Sequence, residues 1–157
     1  MDQNRQAEGR PRRSPTPSPP GARSTVIPWV AQIVVALIFA ATASFKLTYA
    51  TPAQVVFADL GGRPAATAVG VVELLCVILL LIPRTVAIGA ALALLNISGA
   101  IFAHLTSLGI QVVNPATGEG DGGLFFGLAV LVAFASAVVL AFRWQQLPFV
   151  GRRLRGA

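Results

Sequence analysis

The sequence predicts an all-α fold, a four-helix transmembrane bundle preceded by a disordered basic N-terminal tail. Three observations carry that expectation. Four apolar stretches, at residues 26–47, 64–82, 85–110 and 122–142, each reach or approach the roughly 20 residues a helix needs to cross about 30 Å of hydrocarbon. Hydrophobic residues make up 55% of the 157 and charged residues only 11%, where a soluble domain carries about 25% charged. Nearly all basic residues gather at the chain ends and at one tight turn.

Residues 1–24, MDQNRQAEGRPRRSPTPSPPGARS, form the tail. Rich in proline and arginine and almost without apolar side chains, it cannot offset the entropy of ordering. Ser14, Thr16 and Ser18 each precede a proline, so a phosphorylated tether competes with a solvated tail that helps set topology. The transmembrane domain is expected over residues 25–143. Its first segment follows a basic region and carries Ala41-Thr42-Ala43, which resembles a signal-peptidase site, while Arg12-Arg13 hints at a twin-arginine signal. The apolar run continues through Phe45 to Leu47, beyond the usual signal length of about 7 to 15 residues, and no hydrophobic pair follows the double arginine. A retained helix is therefore predicted. The second segment stops at Pro83-Arg84, and so tight a turn makes the second and third helices antiparallel neighbours. The fourth begins after Asp121, and residues 144–157 form a basic C-terminal tail. Apolar residues surround every face of each segment, which excludes helices lying flat on a membrane surface.

Orientation follows from the charges, because cytoplasmic flanks carry the excess of lysine and arginine. With the N-terminus in the cytoplasm, Arg5, Arg10, Arg12, Arg13, Arg23, Arg84, Arg143, Arg152, Arg153 and Arg155 are all inside, and only Lys46 and Arg63 are outside. Both termini are thus expected in the cytoplasm of a cell with this chain in its inner (plasma) membrane. Trp29 and Trp144 suit inner-leaflet anchors. The net charge of +6 sits beside apolar spans, which points to anionic lipid headgroups as partners and not to nucleic acid.

Polar residues inside the membrane are costly and usually face the bundle interior. Glu73 lies about 13 Å from the inner end of the second helix, and Asn96 about 16 Å from that of the third, at 1.5 Å per residue. A hydrogen bond between them is expected. His104 lies two turns further out, and Lys46 enters the outer half from the first helix, able to reach Glu73 or to pair with the outer-side acidic residue Asp121. Lys46, Glu73, Asn96 and His104 form the candidate intramembrane polar site; a structural network that orders the helices is the competing reading.

Small residues at Gly89-x-x-x-Ala93, Gly99-x-x-x-Ala103 and Gly123-x-x-x-Gly127 allow close backbone approach, within the bundle or between protomers of a homo-oligomer. No HExxH, P-loop or GxSxG motif occurs, so no catalytic residue and no metal site is assigned. The lone His104 rules out bis-histidine haem ligation by this chain. The lone Cys76 rules out an internal dithiol and reads as a packing residue.

Phe45-Lys46-Leu47 followed by Leu60-Gly61-Gly62-Arg63-Pro64 resembles the opening of DoxX-like membrane proteins. Gly70-Val71-Val72-Glu73-Leu74-Leu75 with Leu81-Ile82-Pro83 resembles their second helix. Gly99-Ala100-Ile101-Phe102-Ala103-His104-Leu105 resembles the third, and the apolar run after Asp121-Gly122 the fourth. The resemblance covers about residues 27–143. It implies a four-helix membrane protein, with Lys46, Glu73 and His104 as the positions carried over. Some of its relatives resemble membrane subunits of sulfur-oxidising quinone reductases or partners in thiol-redox complexes, and more distant ones assembly or trafficking factors.

Three functions follow as expectations. The first is a non-catalytic membrane subunit or anchor of a redox or stress-related system, with a redox partner protein. The second is a quinone-interacting oxidoreductase subunit, the quinone being implied by the resemblance alone, since the residues themselves predict no cofactor. The third is a small oligomeric transporter. An autonomous enzyme is not expected.

Overall fold

The structure, a computed structural model, describes residues 26–146. The expected basic tail at residues 1–24 and the C-terminal arginines from Arg152 onward lie outside the described residues. The chain forms α1 (Val26–Thr48), α2 (Thr51–Phe57), α3 (Gly62–Leu81), α4 (Val86–Ala103) and α5 (Leu124–Arg143). α4 runs on as a π-helical turn at His104–Leu108, and α5 closes with a 3-10 turn at Trp144–Gln146. No strand occurs among the described residues; Val113 and Gly120 form a single isolated bridge.

α1, α3, α5 and α4 with its π turn are each long and apolar enough to cross a membrane. Only about a third of each span is buried within the bundle. The outward faces carry large apolar side chains, with Leu95 71%, Phe134 70% and Phe102 67% exposed, which is stable only against hydrocarbon. The chain is a multi-pass membrane protein.

α1 and α4 each lie between α3 and α5, giving a ring in the order α1–α3–α4–α5. Val26, the α3–α4 turn and Gln146 share one end of the bundle, here the terminal end; α2 and the α4–α5 loop occupy the other, the loop end. Val35, Leu80, Val86, Ala90 and Val132 fill the core completely. Alanines and glycines bring the helices close, as dispersion packing requires where lipid removes the usual hydrophobic drive. Gly89 is a tight point between α3 and α4: a Cβ there would lie 2.9 Å from Leu79 Cβ and from the Leu80 backbone nitrogen.

Local chemistry sets the ends. Pro83 holds Ile82 extended, and Thr85 Oγ1 donates to Leu79 O at 2.8 Å, so α3 reverses into α4 within four residues. At the end of α1, Tyr49 adopts a left-handed φ of 55°, while Ala50 N donates to Phe45 O at 2.9 Å. Pro52 then starts α2. Gly61 and Gly62, at φ 98° and 63°, turn the chain back into α3. α2 was not expected, since seven residues are too few to register as a span; Ala53 and Phe57, one turn apart, are its buried face.

Candidate functional site

Lys46 lies in the last turn of α1 and Glu73 near the middle of α3. Lys46 Nζ donates to both Glu73 oxygens, at 2.7 Å and 2.8 Å. Thr42, one turn before Lys46 on the same face, donates its hydroxyl to Oε2 at 3.0 Å. The pair is well buried, the Lys46 side chain 16% and the Glu73 side chain 4% exposed. Gly70, one turn from Glu73, makes this geometry feasible. A Cβ there would come within 3.1 Å of Lys46 Cβ, so a larger residue would push α1 and α3 apart where the ion pair forms.

Above the core, in the loop half, the helices line a partly open cavity of about 310 Å³. Phe39 and Val132 border its floor, α2 contributes a roof of Pro52, Ala53, Val56 and Phe57, and Lys46, Glu73, Asn96 and His104 all line it. The four residues of the candidate polar site therefore surround one apolar space. His104 Nδ1 lies 2.8 Å from Gly109 O; because a carbonyl only accepts, Nδ1 carries the hydrogen. The imidazole thereby caps the end of α4, packs edge-on against Phe126 at 5.6 Å, and leaves Nε2 for another partner.

One expected contact is corrected, and of the two partners open to Lys46 the structure shows Glu73. Glu73 does not bond Asn96: depth along the helices matches, but Glu73 turns toward α1, where a cation and a hydroxyl await it, and Asn96 faces the cavity from α4. Lys46 does not pair with Asp121. That carboxylate accepts from the backbone amides of Val112 at 2.8 Å, Gly123 at 3.0 Å and Phe125 at 2.9 Å, clamping the α4–α5 loop onto the start of α5. Burial works against its charge, yet the amides of Phe125, Gly123 and Val112 outweigh this and hold its pKa below the usual Asp value.

The small-residue motifs divide. Gly89 is a contact between α3 and α4 inside the bundle, whereas a Cβ at Gly99 or Gly127 would meet nothing within 4 Å. Thr42 and the α2 roof were missed from the sequence. Thr42 was findable, since a hydroxyl one helical turn from Lys46 shares its face. Gln32 was also missed: its Nε2 donates to Leu80 O in the terminal half, and it is fully buried. Cys76 packs in the core. Among the described residues no cluster of metal-ligating side chains occurs.

No curated protein and no solved structure matches the chain. The sequence profile of the DoxX-like family matches residues 30–116, which takes in α1 to α4 and the cavity residues from Thr42 to His104, but stops short of α5. With more than half its length matched, this chain belongs to the DoxX-like family.

Proposed function

We propose that the protein is a quinone-binding membrane subunit of a redox system, holding the quinone ring in the loop-half cavity while a redox partner protein exchanges electrons with it. The observation that carries this reading is the apolar cavity lined together by Lys46, Glu73, Asn96 and His104. Its volume of about 310 Å³ falls at the small end of the range for small-molecule sites. Its polar groups suit both redox states of such a ligand. The Lys46 ammonium and the Asn96 amide can donate to quinone carbonyls, and Glu73 and His104 Nε2 can accept from hydroquinone hydroxyls. The chain itself carries one thiol, Cys76, buried in the core, so the electrons are assigned to a partner dehydrogenase.

Ten basic residues flank the terminal end or lie in the tails that follow it, against Lys46 and Arg63 at the loop end. That bias supports cytoplasmic termini in the plasma membrane and a cavity in the outer half, with the basic tails against anionic headgroups. A non-catalytic anchor is the second reading. It is favoured by the mutual pairing of Lys46, Glu73 and Thr42, which orders α1 and α3 without any ligand. Purification from native membranes in mild detergent, with solvent extraction of bound lipids, separates the two. Co-purifying quinone in amounts comparable to the protein supports the subunit reading; quinone-free protein with the same partners bound supports the anchor.

A further inference from the structure

We infer that the cavity fills from the bilayer, through a gap between α3 and α4 beside Gly99, and therefore selects ligands that dissolve in lipid. This rests on the reading of the cavity as a ligand site. α3 and α4 are drawn together at the terminal end, where Gly89 leaves no room for a Cβ against Leu79 and Leu80. The same edge of α4 continues at helical spacing through Asn96, Ala100 and Ala103, and there it borders the cavity instead of α3. Gly99, on that edge, lines the cavity and is also exposed, and a Cβ there would meet nothing within 4 Å. A residue that is at once cavity wall and outer surface marks a mouth. On the opposite side of the gap, half-buried Val69 of α3 lines the cavity.

The depth and the other walls decide what passes. Gly99 stands about 20 Å along α4 from Val86, inside a hydrocarbon layer about 30 Å thick. Toward the loop end, α2 covers the cavity with Pro52, Val56 and buried Ala53 and Phe57, so the approach to the ion pair from that side is apolar. The α1–α3 seam is held by Gly70 and the Lys46–Glu73 pair. A hydrated ion would have to cross an apolar roof, whereas a molecule dissolved in lipid meets the glycine edge at Gly99, which carries no side chain. The other exposed lining residue, Phe45 of α1, presents a bulky ring. The ligand class is an amphiphile whose oxygen-bearing head faces Lys46, Glu73 and Asn96 and whose apolar tail trails past Gly99 into the bilayer.

The test is the rate at which a photoreactive azido derivative of decylubiquinone, dissolved beforehand in proteoliposome membranes, labels the cavity of the full-length protein. Gly99→Trp fills the mouth and is expected to slow labelling about tenfold, within the spread of association rates that one site shows among variants. Gly99→Leu is expected to fall between, and keeps the test decisive should the indole disturb folding. Phe134→Trp, on the lipid face of α5 away from the cavity, is expected to label at the wild-type rate. Equal rates for wild type and both Gly99 variants overturn the lateral route while leaving the ligand site intact. Wild-type protein that shows no saturable labelling overturns the ligand site itself, and the route with it.

Discussion

Removing either charge of the Lys46–Glu73 pair leaves the other desolvated without its partner, a loss of about 3–5 kcal/mol for buried pairs. Lys46→Ala and Glu73→Ala are each expected to destabilise the bundle by an amount in that range, read from reversible unfolding in mixed micelles. Gly70 acts one step further back. Gly70→Val places atoms against Lys46 and Leu47, and overpacking of this kind costs about 1–3 kcal/mol. If Gly70→Val unfolds at the wild-type midpoint, α1 and α3 are not held as close as the ion pair requires. Depth along a helix could be counted from the sequence, and it placed Glu73, Asn96 and His104 at levels from which all can reach the cavity. Azimuth could not be counted, which is why Asn96 and Lys46 both stood as partners for Glu73, when it turns to Lys46 and Thr42 and away from Asn96.

At the scale of elements, the spans were legible because a bilayer imposes a length and an apolar composition that few other structures share. α2 was not, since its Ala53 and Phe57 bury only against a cavity that exists once the other helices are assembled. The α4–α5 loop is held by one carboxylate, and its behaviour with pH follows from that. Asp121 has its pKa lowered in the folded protein, so its stabilising effect is present above the ordinary Asp value of 3.8 and is lost as pH falls through the folded value. Amides of Val112, Gly123 and Phe125 are expected to lose exchange protection as the pH drops below that ordinary value, after correction for intrinsic rates, while core amides of α4 keep theirs. Unchanged protection at these three positions in Asp121→Asn at neutral pH would show that the carboxylate does not clamp the loop. At the opposite end, Gly89→Val is expected to disrupt the α3–α4 crossing, because the added atoms meet backbone.

For the whole molecule, the ring of four helices is closed by a buried apolar core in the terminal half and opened by a polar-lined cavity in the loop half. The same residues that make the cavity also hold the helices, so loss of binding in a single variant does not separate ligand contact from folding. A double variant does. Replacing a buried ion pair with apolar residues of similar volume is often neutral or stabilising, whereas it removes the charges a polar ligand would meet. The most direct measurement is therefore saturable binding of decylubiquinone to wild type and to the Lys46→Met/Glu73→Leu double variant, in nanodiscs, alongside their unfolding midpoints. The expected result is a double variant at least as stable as wild type that binds roughly tenfold or more weakly, as the loss of about 1.4 kcal/mol of polar contact would give. Equal binding by the two proteins, or no saturable binding by wild type, would contradict a quinone site at Lys46 and Glu73.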